Sequence, residues 1–219
     1  MRCSSDSVRR SRSRRWPSRS APGAGGSPVD ERELDALVGR ARVGTVRPVV
    51  LIDGRSGAGK TALAHALAPR LHAQLVSLDD LYPGWDGLEA GALAVPRDVL
   101  RDDEPGWRRW DWTAQRPAEW HPLDPSLPLV VEGCGALGAA SRARASLAVW
   151  LELDGARRKR RALARDGGAY APHWERWAAQ EERWIAREHP VALADVVLDG
   201  RVIPVQAQPS SCSSSSSMP

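Results

Sequence analysis

Apolar positions along this chain follow two rhythms that take turns. Short uninterrupted runs, "PVVLID", "AQLVSL", "LPLVVEG", "SLAVWLEL" and "LADVVLDG", are separated by segments whose apolar residues recur every three or four positions. The first pattern is that of a strand buried on both faces, and the second that of a helix with one buried face. Helices are predicted at "SPVDERELDALVGRAR", where Leu34, Leu37 and Val38 share a face, and at "KTALAHALAPRL", where Leu63, Ala64, Leu67 and Leu71 do. "DGARRKRRALARDGG" reads as an arginine-rich helix, and "APHWERWAAQEERWIAREHP" as a helix that carries Trp174, Trp177 and Trp184 toward the core. Between the second and third strands, "DGLEAGALAVPRDVL" is predicted helical with an interruption at Pro96, and "GWRRWDWTAQRPAEWHPLDP" is predicted loop-like. Strands alternating with helices give an α/β fold, a five-stranded parallel sheet with helices on both faces.

Composition changes the picture mainly at the ends. Residues 1–28 hold seven arginines against one acid, and residues 209–219 are serine-rich. Neither segment buries enough apolar surface to offset the entropy of ordering, so both are expected to be disordered around one domain at 29–208. The formal charge of +4 is then a property of the tail, which contributes +6 and leaves −2 on the remainder. The domain itself offers no basic face of the kind that binds nucleic acid. The Arg/Ser tail could touch nucleic acid or acidic membranes non-specifically; a solvated extension, or a start codon placed too far upstream, is the plainer reading. No apolar core follows the arginines, so the tail does not read as a signal peptide. No run approaches the ~20 apolar residues of a membrane-spanning helix. Of the three cysteines only Cys134 falls in the predicted domain. No disulfide framework or clustered zinc site is expected, and a cytoplasmic protein fits. His65, His72, His121, His173 and His189 lack ligand spacing and read as structural.

The chemistry begins at "VVLIDGRSGAGKT". The chain has only two lysines, Lys60 and Lys159, and meets its other need for positive charge with arginine. Lys60 closes the sequence Gly54-Arg55-Ser56-Gly57-Ala58-Gly59-Lys60-Thr61, which satisfies the P-loop pattern between a predicted strand and a predicted helix. Glycines let successive backbone N–H groups turn inward around a phosphate, and the following helix adds the positive end of its dipole. A compact ammonium fits between phosphates where a planar guanidinium does not, and the Thr61 hydroxyl is placed for Mg²⁺. ATP and Mg²⁺ are the expected cofactors.

Two further acids are predicted at the carboxyl edge of the sheet, the edge that carries the P-loop. Asp79 follows the second strand, where its carboxylate can take a proton from an acceptor hydroxyl; the lesser alternative is that Asp79 and Asp80 merely cap a helix or turn. Glu132 ends "LPLVVEG", where it can steer Mg²⁺ or simply be solvated.

"IDGRSGAGKT", "VSLDDLY", "LVVEG" and "RRALARD" occur in the order and rough spacing of the uridine kinase-like P-loop kinases, which the chain resembles over about residues 47–166. The resemblance implies a P-loop NTPase fold, Asp79 as the catalytic aspartate, Tyr82 as its neighbouring aromatic, and Arg161 and Arg165 as lid arginines that clamp the phosphoryl group. Read from the residues alone, that arginine run is equally an exposed basic helix. "GWRRWDWTAQRPAEW" and "HWERWAAQEERW" depart from the uridine kinase pattern, which bears on the acceptor rather than the donor. Trp110, Asp111 and Trp112 are the candidate acceptor contacts, with Asp80 and Tyr82 beside them; the alternative is a tryptophan-rich loop packing on the core.

The expected function is an ATP- and Mg-dependent kinase that acts on a small-molecule hydroxyl, a nucleoside first, with no specific nucleic-acid or membrane partner. The rivals are a regulatory NTP switch that acts on a macromolecule, and a nucleic-acid binder working through residues 1–20. The absence of an "NKxD" sequence weighs against a GTPase.

Overall fold

The computed structural model describes residues 31–202. The expected disordered ends and the domain limits at 29 and 208 lie outside the described residues.

Among the described residues, seven strands and seven α-helices follow one another. They are α1 (Glu31–Ala41), β1 (Val49–Asp53), α2 (Lys60–Leu71), β2 (Gln74–Ser77), α3 (Leu88–Ala94), β3 (Gly106–Asp111), β4 (Arg116–Pro122), β5 (Leu129–Glu132), α4 (Ala139–Arg142), β6 (Leu147–Glu152), α5 (Gly155–Asp166), α6 (Trp174–Glu188), α7 (Pro190–Leu193) and β7 (Val196–Asp199). Five strands form a parallel sheet in the order β2-β5-β1-β6-β7, with β1 at its centre. The fold class read from the sequence is the one observed.

Successive side chains of a strand point to opposite faces, and each face here has its own core. Val49, Leu51, Leu129, Val131 and Val76 pack with α3 and with Trp174, Trp177 and Trp184 of α6. Val50, Ile52, Val130, Val149 and Leu151 pack with Leu34 and Leu37 of α1 and with Leu63, Leu67 and Leu71 of α2. This double burial is why the strands read as continuous apolar runs rather than alternating ones.

The helix predicted around Pro96 forms as α3, and its interruption is a π-helical turn at Val95–Val99 that begins next to the proline. The segment predicted loop-like is instead an antiparallel hairpin, β3–β4, whose register shifts between Arg108 and Trp110. Cross-strand pairs hold it: Trp107 stacks on His121 at 4.3 Å, and Arg109 makes two hydrogen bonds to Glu119 at 2.6 and 3.0 Å. Pairing of this kind leaves no apolar alternation in the sequence.

Parallel register brings the strand ends into line. Ser77, Glu132 and Ile52 lie side by side across β2, β5 and β1, and Asp53 lies beside Trp150 of β6. Every connection that leaves this carboxyl edge therefore starts from the same line, where ligands of open α/β sheets gather.

Candidate active site

The connection from β1 to α2 is the Gly54–Thr61 loop. Gly54, Gly57 and Gly59 have φ of +146°, +83° and +110°, a region that side-chain-bearing residues rarely enter. Gly57 is also fixed by space, because a Cβ there would lie 2.2 Å from the Arg158 carbonyl oxygen. The loop thus turns tightly at its three glycines, and it packs directly on the first turn of α5.

Lys60 is buried at the start of α2. Its Nζ donates to the Arg55 carbonyl at 3.3 Å and to Cys134 Sγ at 3.4 Å. Burial works to lower the ammonium's pKa, but the Cys134 sulfur and the carboxylates of Glu132, Glu181 and Asp53 outweigh it and raise the pKa above the ordinary lysine value. The charge a phosphate needs is held in place.

Thr61 and Glu132, both expected from the sequence to manage Mg²⁺, lie in contact. The Thr61 hydroxyl donates to Glu132 Oε1 at 3.1 Å, and the Ser77 hydroxyl donates to the same oxygen at 2.7 Å. A buried carboxylate with two hydroxyls is an all-oxygen donor set, the kind that suits Mg²⁺. Ser77, which sequence reasoning passed over, belongs to that set.

Asp79 and Asp80 lie exposed in the single 3₁₀ turn Leu78–Asp80 that leaves β2. The Trp112 indole N–H donates to the Asp79 carbonyl at 2.9 Å and so ties the hairpin to this turn. Trp112 also packs on Trp85, with ring centroids 5.0 Å apart. Trp85 stacks in turn on His173 at 4.3 Å and on Tyr170 at 5.5 Å, and the Tyr170 hydroxyl hydrogen-bonds Ser56. An aromatic wall therefore runs from the P-loop to Asp79. Trp85 and Tyr170 are members that sequence reasoning did not single out, and His173 is one that it read as structural.

Other predicted residues take different places. Tyr82 is in the core, and its hydroxyl donates to the Cys134 carbonyl at 2.8 Å, so it props up the site from behind. Asp111 accepts the Thr113 and Ala114 N–H groups at 2.9 Å each, which lowers its pKa and makes it the cap of the hairpin turn. Trp110 is half-buried in β3, with its indole nitrogen inside the protein. Arg161 donates to the Gly200 carbonyl at 2.7 Å, beside the turn after β7. Arg165 makes two hydrogen bonds to Asp166 at 2.9 and 2.6 Å. Burial works to lower the Arg165 pKa, but Asp166, Asp79 and Glu132 more than reverse this, so Arg165 stands in the field of the site. The α5 arginine that touches the P-loop is Arg158, which is buried and donates Nε to the Leu153 carbonyl at 2.9 Å and Nη1 to the Ser56 carbonyl at 3.4 Å.

Asp53 is a further buried acid that the sequence analysis missed. It accepts from the backbone N–H groups of Gly54 at 2.6 Å, Gly135 at 3.1 Å and Leu137 at 2.9 Å. It thereby locks the start of the P-loop to the loop that leaves β5. Burial raises its pKa from 3.8 to about 6, against the pull of those N–H groups and of Lys60. The Cys134 thiol is likewise pushed up to about 12 by burial and stays protonated.

With this geometry in hand, comparison with known proteins is informative about the fold. A solved structure described as a possible uridine kinase from Bacillus stearothermophilus superposes with a TM-score of 0.54, covering 77% of this chain and 98% of that one at 19% identity. The fold is that of a P-loop kinase. A putative fructose transport system kinase from Silicibacter covers 76% of this chain and 97% of its own, with a TM-score of 0.49 and 17% identity. In sequence, 42 residues are 55% identical to a tRNA dimethylallyltransferase from Chlorobium phaeobacteroides. That match spans 18% of this chain and 13% of the transferase. No protein-family model matches the chain. The resemblance carried by the sequence motifs thus extends to the arrangement of the whole sheet.

Proposed function

We propose that this protein is an ATP-dependent small-molecule kinase that transfers the γ-phosphoryl group to an acceptor hydroxyl, with a nucleoside as the first acceptor to test. The observation that carries the reading is one of placement. A charged, buried Lys60 in a curled glycine loop, a Thr61–Ser77–Glu132 oxygen set and an exposed Asp79 all lie along one sheet edge.

Mg-ATP, when bound, supplies the phosphoryl group and the metal charge. The loop amides and Lys60 hold the phosphates, and Thr61, Ser77 and Glu132 hold the metal and its waters. Asp79 takes the proton of the acceptor hydroxyl, and Arg165 offsets charge on the side facing Asp79. Arg161 acts from the other side by holding the Gly200 carbonyl, next to an open cleft of about 640 Å³ lined by Glu152, Arg157, Val197 and Arg201. Gly200, which joins this cleft to the P-loop, is packed so closely that a Cβ would lie 2.5 Å from the Ala58 carbonyl. The adenine base is assigned to this cleft. The wall of Trp85, Trp112 and His173 offers aromatic faces to the acceptor, with Asp80 beside it.

The test is ADP release by the full chain from Mg-ATP across nucleosides, nucleoside monophosphates, sugars and pantothenate. Acceptor-dependent release is expected to fall by roughly 100-fold or more in Asp79→Asn, the usual scale of a lost general base. ATP binding without turnover on any acceptor would replace the kinase reading with that of a regulatory NTP switch.

A further inference from the structure

One turn of α6 reaches both sides of this site. Gln180 donates Nε2 to the Trp85 carbonyl at 2.7 Å, on the aromatic wall. Its neighbour Glu181 points at the phosphate loop. Glu181 is an acid within the stripe of Trp174, Trp177 and Trp184, with an exposure of only 2%. A carboxylate so placed is tolerated only when its oxygens are met. Glu181 Oε1 accepts the Ser56 backbone N–H at 2.7 Å and the Cys134 thiol at 3.3 Å, and Oε2 accepts Arg55 Nε at 2.9 Å. Arg158 Nη1 lies 4.0 Å from Oε2.

These partners are the working parts of the loop. Arg55 and Ser56 are its second and third residues, Arg158 holds the Ser56 carbonyl, and Cys134 accepts from Lys60. The Arg55 side chain reaches Glu181 and, at 3.3 Å, Glu182. An N–H in such a loop can face the nucleotide or the protein, and Glu181 decides the matter for Ser56.

We propose that Glu181 is a positioning residue of the phosphate loop. By engaging the Ser56 N–H and the Arg55 guanidinium, it fixes the shape of the loop that presents Lys60 and the later loop amides to the nucleotide phosphates. The inference rests on the nucleotide-binding part of the kinase reading and needs no particular acceptor. The property that matters is reach: an oxygen delivered to the Ser56 N–H from α6.

Three variants of the full chain separate reach from charge. Glu181→Gln keeps the reach and an accepting oxygen, Glu181→Asp keeps the charge but draws it back by one methylene, and Glu181→Ala removes both. Equilibrium binding of N-methylanthraniloyl-ADP with Mg²⁺ is measured by fluorescence, at a temperature where each variant's own unfolding curve shows it folded. Binding by Glu181→Gln is expected within about 3-fold of the parent, while Glu181→Asp and Glu181→Ala lose roughly 10-fold, the scale of a donor left without its partner. Tighter binding by Glu181→Gln or Glu181→Ala would overturn the proposal and make Glu181 an anion that competes with phosphate. Equal affinity in all three would reduce it to packing, and a Glu181→Gln as weak as Glu181→Ala would make charge rather than reach decisive; both also overturn it. Should Glu181→Ala fail to fold, the Gln and Asp pair still decides. A parent chain that binds no nucleotide would sink the kinase reading itself, which is a separate result.

Discussion

At the scale of single residues, the site is built from acids placed where the chain otherwise buries apolar groups. Asp53 ends the run "VVLID" inside the sheet, and its folded pKa of about 6 stands above the ordinary 3.8. The folded state therefore keeps a proton that the unfolded chain releases, so the contribution of Asp53 to stability is fully present below about pH 4 and is lost as pH rises through about 6. The shift corresponds to about 3 kcal/mol. Asp53→Asn removes that slope, because an amide carries no charge at any pH. It also points an N–H₂ at the Leu137 N–H, which Asp53 Oδ2 now accepts, at a cost of roughly 1–3 kcal/mol. Urea unfolding at pH 4.5 and 6.5 is expected to show a large stability difference in the parent and a small one in Asp53→Asn; parallel profiles would refute the assignment. The P-loop residues, Thr61 and Glu132 were legible because their chemistry demands a fixed pattern or a strand end. Asp53 and Glu181 obey no such pattern. Their signal was an acid breaking an apolar period: Asp53 at the end of a strand, and Glu181 at the four-then-three spacing between Trp177 and Trp184.

At the scale of elements, the β3–β4 hairpin is the part that the sequence concealed. β4 contains Pro117 and Pro122, which a two-stranded ribbon tolerates because each strand has an open edge. Its turn uses Gln115 at φ +50°, where glycine or asparagine would have announced a hairpin. The element is positioned on the site by Trp112, through the indole N–H to the Asp79 carbonyl and the ring packing on Trp85. Trp112→Phe keeps a ring against Trp85 and removes the N–H, so the turn bearing Asp79 loosens while the P-loop is untouched. The expected outcome is a fall of about 3- to 10-fold in kcat with the KM for ATP unchanged, the scale of one neutral hydrogen bond. Steady-state kinetics with the acceptor found by the panel measure it. A rise in the KM for ATP alone would mean that the hairpin serves the nucleotide instead.

At the scale of the whole molecule, a single sheet edge gathers the connections that make the site. β1 leads into the P-loop, β2 into the Asp79 turn, β5 into the Cys134 loop, β6 into α5 and β7 into the Gly200 turn, and α6 crosses back over them. This arrangement was legible from the strands alone, because parallel order sends every such connection to one edge. A nucleotide bound there touches segments far apart in sequence, so it stabilises the folded chain as a unit rather than one loop. Binding only to the folded state adds about 2.7 kcal/mol at 100 times the dissociation constant. For a domain of this size that is a rise of roughly 5–10 °C in Tm. The prediction is that Mg-ADP raises the Tm of the full chain by this amount. Lys60→Ala should lose most of the rise, read against its own unliganded Tm, which is expected to be lower because the buried carboxylates of Glu132, Glu181 and Asp53 lose the ammonium beside them. A thermal shift that persists in Lys60→Ala would place the nucleotide away from the loop, and the chemistry assigned to Asp79 and Glu132 would have to be sought elsewhere.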